Sequence, residues 1–539
     1  MKKFSLSILI ILLSTNSQAQ RLIKSFTPGS YDTYAFFIGN TQNGFVMNVL
    51  TSEYGNEPWV SDGTTKGTQL LKDIIPGNQG SLFIEFSYSN DTLLYFIAMN
   101  PDQSGVTLKD LWRTDGTPEG TFLIDSMGQF YPDMSYDECV FYKGEFYYSV
   151  TNSTSKTIYA TDGSKNAPRV VASFKNQNYE SRSNLAIFNN TLYFYAYTDK
   201  YGTELWSSDG TAAGTKMVAD LYTGANSSKN NTGKLLAHKD KLFFVAQRNT
   251  TEGFELFYIS TIDRGPWLFN DFTPTSGLSS NVDLAKGNDS FFFINVLGND
   301  DGVYVSDGHW MNTRKFQNTA EPNAIYMGYR AYQINNKVLV CASTGNTGIE
   351  LYKSDELLNN NGMLRDINPG GGSGLFWKSD IFTVNNKGYF LGTNSLLGTD
   401  IWVTDGTEDS TILYLEFWGN FVTNNNILHQ WNKRIFFFGT INPNIGTELH
   451  ELVISPNTGI ETARFNYDRV YPNPVNSGTT LYVADEESTI SLFNLHGQNV
   501  WNTISTNGKI QIPEHLSKGI YTIRIKTSEQ ETHHKIVIE

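Results

Sequence analysis

Thiols are nearly absent from this chain: Cys139 and Cys341 are the two cysteines in the whole sequence. A densely disulfide-stapled framework is thereby excluded. Charge is also scarce, with Asp, Glu, Lys and Arg making up 17% of residues, and its basic part is the smaller, 40 against 54 acidic, for a net charge of -14. Such a balance leaves no basic stripe for a nucleic-acid partner and suits a soluble, surface-exposed protein. Beyond the first residues no apolar run approaches the roughly 20 residues of a membrane helix, so no membrane span is expected. Local catalytic signatures are missing as well: there is no Gly-x-Ser-x-Gly elbow, no His-Glu-x-x-His and no phosphate-binding loop. The eight histidines are scattered, with His533 and His534 near the end of the chain. No catalytic residue, metal ligand or cofactor is assigned, although paired carboxylates for glycoside cleavage need be close only in space.

Aromatics and glycine are plentiful instead, with aromatics at 14% and 46 glycines, which with few helical stretches reads as all-β. At 539 residues the chain is too long for one core. One pattern recurs nine times, an aromatic-centred strand followed in most copies by an Asp-Gly turn. The clearest copies span Glu57 to Thr64, Glu204 to Thr211 and Asp400 to Thr407. Aligned on the central aromatic, the copies fall at Trp59, Trp112, Tyr159, Trp206, Phe257, Tyr304, Tyr352, Trp402 and His450, between 47 and 53 residues apart. The best unit reads as four strands: Leu185 to Phe188, Thr191 to Tyr197, Thr203 to Ser208 and Thr215 to Leu221. Four antiparallel strands in about 48 residues is the size of a propeller blade. Second strands such as Leu242 to Val245 and Ile435 to Phe438 are apolar on both faces, as a blade packed between two neighbours requires.

The expected fold is therefore a β-propeller of nine, alternatively eight, four-stranded blades. Arg21 to Ser30 resembles the fourth strand of the first repeat, Gln69 to Gly77. It can complete the last blade and remove an open edge. Cys139 and Cys341 should then lie on opposite sides of the ring as buried free thiols, since a bridge needs Cα atoms within about 7 Å.

The repeat resembles the family described by its motif, Glu-Leu-Trp-x-x-Asp-Gly-Thr, between Arg21 and about Arg464. Copies three, five, six, seven and nine depart from it: Tyr159 and Tyr304 replace Trp, Ser354-Asp355-Glu356 lacks the Gly, and His450 lacks the Asp-Gly. The resemblance implies a secreted β-propeller-like protein and implies no reaction.

Residues 1–20 read as a secretory signal peptide, with Lys2 and Lys3, a short apolar run from Ser5 to Leu13, and cleavage between Ala19 and Gln20. The repeats occupy 21–464. Residues 465–539 resemble the type A C-terminal sorting domain of the type IX secretion system. The match is carried by Tyr471-Pro472-Asn473-Pro474, Leu495-His496-Gly497, Leu516 to Tyr521 with Gly519, and the closing Lys535-Ile536-Val537; Glu539 departs from the basic ending common in the family. This resemblance implies a small β-sandwich read by the secretion translocon, and a protein delivered to the cell surface or secreted.

Three recurring features carry the remaining candidates. The first is the Asp-Gly pair: Asp62-Gly63, Asp115-Gly116, Asp162-Gly163, Asp209-Gly210, Asp307-Gly308 and Asp405-Gly406. Metal ligation is one reading. A tight turn is the other, with Asp accepting from a backbone N–H two residues on and Gly supplying positive φ. Recurrence in unit after unit favours the turn. The second is the motif Trp at 59, 112, 206 and 402, expected to fill space between blades rather than to stack on sugars. The third is a carboxylate two residues before seven of the nine aligned aromatics: Glu57, Asp110, Glu204, Glu255, Glu350, Asp400 and Glu448. A circle of these could attract calcium. Local backbone N–H bonds beside each turn are the favoured reading, because evenly spaced single carboxylates cannot supply six to eight oxygens. Asn299-Asp300-Asp301-Gly302 resembles only the start of a calcium loop. Asp91-Thr92-Leu93, Asp125-Ser126-Met127 and Asp409-Ser410-Thr411 resemble an O-glycosylation acceptor of bacteria that use this secretion route. The function expected is a non-catalytic adhesion or binding scaffold for glycan or protein; the alternative is an extracellular lyase or glycosidase with its site in the central channel.

Overall fold

The computed structural model describes residues 20–454 and 470–538, apart from short internal stretches of which the longest are 128–138, 176–184, 271–282, 316–326 and 418–426. Contacts divide the chain into two units, Ile23–Leu449 and, together, Met1–Leu22 with His450–Glu539. Apart from one 3-10 turn, Trp310–Asn312, every regular element described is a β-strand.

After the first strand, β1 (Gln20–Lys24), come β2 (Ala35–Thr41), β3 (Gly44–Thr51), β4 (Gly55–Ser61) and β5 (Gln69–Leu70). The last four form one antiparallel sheet in chain order, module 1. Seven more sheets of four consecutive strands follow, modules 2 to 8, with first strands at Ser87–Ser89, Cys139–Tyr142, Ala186–Phe188, Leu235–His238, Asp283–Lys286, Met327–Ile334 and Ile381–Val384. Module 9 draws three strands from the end of the array, Leu428–Trp431, Arg434–Thr440 and Thr447–Leu452, and its fourth place is taken by β1.

Sequence chemistry explains the regularity. The second strand of a module is apolar on both faces and is buried on both: Phe45, Val46 and Met47 in module 1 and Leu242, Phe243 and Phe244 in module 5 are all at 0% exposure. In modules 3, 4, 8 and 9 the first and second strands are joined by two-residue turns with left-handed backbone, which Asn tolerates best among residues with a side chain. Asn189 and Asn190 take φ of 45° and 53°, and Asn385 and Asn386 take 51° and 60°.

The fourth strand is shorter than its sequence suggests. In module 4 the expected strand Thr215 to Leu221 is paired only over Lys216–Met217. The chain leaves the sheet there because Glu204 captures the backbone N–H groups of Leu221 and Tyr222.

Apolar clusters span successive modules. Phe36, Val46 and Leu71 of module 1 pack with Leu94, Phe96 and Ala98 of module 2. Tyr95 of module 2 stacks on Phe146 of module 3, centroids 4.1 Å apart. Comparable clusters join modules 3 to 4, 4 to 5, 5 to 6 and 7 to 8, and Phe382 of module 8 meets His429 of module 9. Module 9 also meets module 1: Phe45 lies 4.4 Å from Phe436 between ring centroids, and Phe37 stacks on His429 at 4.9 Å. Cys139 and Cys341 are buried, unbridged and in different modules, 3 and 7.

The C-terminal segment folds around its own core. One sheet holds Val470–Tyr471, Thr480–Val483 and Lys509–Gln511; the other is ordered Asn499–Ile504, Thr489–Phe493, Gly519–Lys526, Glu531–Ile538. Leu481, Leu492, Ile512, Ile523 and Ile536, all fully buried, pack between them.

Candidate functional site

The Asp-Gly turn is a self-contained hydrogen-bond knot. In module 1, Asp62 Oδ1 accepts from Thr64 N at 2.8 Å and Thr64 Oγ1 at 2.7 Å, and Thr64 Oγ1 accepts from Gly67 N at 2.9 Å. Thr68 Oγ1 donates to Thr64 O at 2.6 Å, and Ser61 Oγ accepts from Gly63 N at 3.0 Å. The same bonds recur around Asp115 and Asp209, and around Asp405, where Ser410 stands in place of the second Gly. Asp162 and Asp307 keep the bond from the residue two further on.

A second role of these turns was not legible locally. Each offers its backbone carbonyl to the preceding module. Asn43 Nδ2 donates to Asp115 O at 2.9 Å, Arg113 Nη1 to Gly163 O at 3.3 Å, and Lys143 Nζ to Asp209 O at 3.0 Å. Lys239 Nζ donates to Asp307 O at 2.9 Å and Asn335 Nδ2 to Asp405 O at 3.0 Å. The remaining turn receives Arg434 of module 9, whose Nη1 and Nη2 reach Asp62 O and Gly63 O at 3.3 and 3.1 Å. The glycines at 63, 116, 163, 210, 308 and 406 all have φ between 76° and 96°. At some of them the preceding module also comes close: an added Cβ would lie 2.5 Å from Tyr147 Oη at Gly210 and 2.7 Å from the Arg434 guanidinium at Gly63.

The motif tryptophans are largely withdrawn from solvent. Trp59 and Trp402 are 8% and 9% exposed, and Trp112 and Trp206 are half-buried. Trp206 receives the edge of Phe174 from the preceding module at 4.9 Å, and Trp59 receives Phe26 in the same way at 5.1 Å.

The carboxylates before the aromatics are buried too, none of the seven more than 4% exposed. Their partners lie further off than the adjacent turn. Glu57 accepts from Ile74 N and Ile75 N at 3.1 and 3.0 Å, and Glu350 from Ile367 N and Gly374 N at 2.8 and 2.7 Å. Glu204 holds Leu221 N, Tyr222 N and the Ser228 hydroxyl, and Asp400 holds Phe417 N, 17 residues on. Asp110 accepts from the Ser126 hydroxyl at 2.7 Å. Glu57, Asp110, Glu204, Glu350 and Asp400 thus clamp the chain at or beyond the end of the fourth strand. Glu448 does the same to the N-terminal segment, accepting from Phe26 N at 2.8 Å and the Ser25 hydroxyl at 2.7 Å. Burial pushes the Glu57, Glu204 and Glu350 carboxyls up to about 7, and that of Glu448 up as well.

One cavity, of about 570 Å³, opens where modules 8, 9 and 1 meet. Its walls carry Asn40, Gln42, Gln430, Asn432, Lys433 and Trp431, with Phe382 and His429 beneath. Several are fixed: His429 Nε2 pairs with Asn40 Oδ1 at 2.7 Å, Asn40 Nδ2 donates to Gln430 O at 3.2 Å, and Trp431 Nε1 donates to Thr41 O at 3.4 Å. Burial pushes the His429 imidazole down to about 4, so it is neutral at ordinary pH.

Among the sorting residues, Tyr471 pairs with Tyr482, Gly497 takes φ of 73° in a turn whose N–H meets Asn494 O at 2.9 Å, and Gly519 opens a long strand. Tyr521 is buried and donates from its hydroxyl to Ser517 O at 2.7 Å. Gln20 begins β1, its side chain meeting His450 Nδ1 at 3.0 Å. Ala19, Pro472, Asn473, Pro474, Asp91 and residues 299–301 lie outside the described residues.

No curated protein matches this chain. Among solved structures, it is similar to PorZ, a surface component of the type-IX secretion system of Porphyromonas gingivalis, at 12% identity and a TM-score of 0.31 over 93% of this chain and 74% of that one. It is similar at 10% identity and a TM-score of 0.40 to prolyl endopeptidases, over 70% of this chain and 55% of theirs. A third similarity, at 9% identity and a TM-score of 0.40, is to prolyl oligopeptidase B of Galerina marginata, over 76% of this chain and 54% of that one. The chain thus spans little more than half the length of those peptidases. Residues 469–539 match the family model of the secretion system C-terminal sorting domain, and the protein that carries this domain is exported to the cell surface or secreted.

Proposed function

We propose that this protein is an exported, non-catalytic binding scaffold. In this reading the nine modules are blades of a closed β-propeller built from Glu-Leu-Trp-x-x-Asp-Gly-Thr repeats. An N-terminal signal and the C-terminal sorting domain deliver it through the type IX machinery, and it presents a surface to glycan or protein outside the cell. The observation that carries the closed ring is the repetition of one set of contacts at the seam. The carbonyl latch, the aromatic edge contact and the carboxylate clamp that join consecutive modules recur as Arg434 on Asp62, Phe26 on Trp59 and Glu448 on Phe26. What supports a binding role is that the motif residues are engaged in holding modules together, which leaves the non-motif turns to meet a ligand. No cofactor enters this reading.

A glycan array and a panel of immobilised extracellular proteins, probed with the full chain, test the binding role. A polysaccharide digestion screen runs beside them. Saturable capture without product release is expected. Product release from any polysaccharide would replace this reading with that of a carbohydrate-active enzyme.

A further inference from the structure

The cavity between modules 8, 9 and 1 differs from the rest of the molecule in its charge. The chain carries a net charge of -14, yet the one charged residue on the cavity wall is a lysine, Lys433. Among the described residues Lys433 has no hydrogen-bond or ion-pair partner, and it is exposed.

Asn432 and Lys433 form the turn between the first two strands of module 9, with φ of 48° and 59°. The turn itself asks for left-handed backbone at both positions, as at Asn189-Asn190 and Asn385-Asn386. Elsewhere a lysine of this turn has a partner in the next module. Lys143 and Lys239 hold the first position of the equivalent turns of modules 3 and 5, with φ of 50° and 51°, and each spends its ammonium on the latch to the next module. In module 9 the latch belongs to Arg434. Lys433 is thus not engaged in the latch, and its ammonium is left to the cavity.

The rest of the wall suits a polyhydroxylated ligand. Asn40 and Gln430 are held in place by bonds that use only part of their capacity; an amide side chain offers two donors and two acceptor lone pairs. Gln42 and Asn432 are exposed at the rim. Trp431 and Phe382 supply apolar surface against which a sugar ring can lie.

We propose that this cavity binds a hexuronate residue of a polysaccharide, with its carboxylate on Lys433, its hydroxyls on the amide side chains and its ring against Trp431. The proposal rests on the binding-scaffold reading above and names its ligand class.

The test is calorimetric titration of the full chain with trigalacturonate and with neutral galactotriose. Trigalacturonate should bind at least about tenfold more tightly, the worth of one charge-assisted contact. Lys433→Asn should remove that preference while leaving the urea midpoint equal or higher, because Asn tolerates the left-handed turn better than Lys. Equal affinity for the acidic and neutral sugars, or uronate binding unchanged in Lys433→Asn, would overturn the proposal. If array ligands still bind the Lys433→Asn protein as before, the cavity assignment fails while the scaffold reading stands. If the full chain captures no glycan and no protein, both fail.

Discussion

Gly210 and Gly77 separate two reasons for a glycine. Both have positive φ, 96° and 110°, but a Cβ on Gly210 would strike Tyr147 Oη at 2.5 Å, whereas one on Gly77 would meet nothing within 4 Å. Gly77→Ala should cost about 1 kcal/mol, the conformational cost alone. Gly210→Ala should cost about 3 kcal/mol, because the module before it must also move. Urea midpoints of the two variants check this; equal midpoints would remove the close approach as a constraint. The clamp residues give a pH signature at the same scale. The carboxyls of Glu57, Glu204 and Glu350 titrate near 7 in the fold against 4.5 unfolded, so the folded chain binds more protons across that interval. Their contribution to stability is complete below 4.5 and is lost as pH rises through about 7. His429 acts oppositely and lower: its folded value of about 4 against 6.5 adds stability as pH rises across that window. Comparing the parent with a Glu57→Gln, Glu204→Gln, Glu350→Gln variant isolates the carboxyls. The parent should lose stability relative to the variant between pH 5 and 7.5, and parallel curves would contradict the assignment.

At the scale of the strand, much was legible and the losses have physical causes. The two-faced apolar runs announced the second strands, since only burial on both sides tolerates Leu242 to Val245. The turn chemistry of Asp62 and Thr64 was readable because every partner lies within six residues. The clamp was not, because Glu204 reaches 17 residues along the chain to Leu221 and shortens the strand that hydropathy extends. Nor was the latch, because its acceptor is a backbone carbonyl, which has no letter in the sequence, and its donor varies among Asn, Lys and Arg. The cavity at Asn40 and Lys433 is assembled from residues almost 400 positions apart and left no local signal. The equivalence of seam and interior can be tested at this scale. Phe174→Ala removes an aromatic edge from Trp206 inside the array, and Phe26→Ala removes one from Trp59 at the seam. Both should cost about 3 kcal/mol. A Phe26→Ala variant as stable as the parent would show that the N-terminal strand is not part of the fold.

At the scale of the molecule, nine similar sheets face a problem common to repeat arrays, which is that the first and last units have an uncovered face and an open edge. The closure proposed above would remove both, with β1, from the other end of the chain, as the fourth strand of module 9. Both cysteines are free, so no disulfide holds the array together. The most direct test of closure is amide hydrogen exchange of residues 21–27 in the full chain, read against the buried strand Gly44–Thr51 of module 1. A closed ring should protect Ile23 and Phe26 as well as that central strand, with protection lost only when the modules unfold. Exchange at the rate of a frayed terminus, with the modules otherwise intact, would mean that Glu448 holds nothing and the array is open.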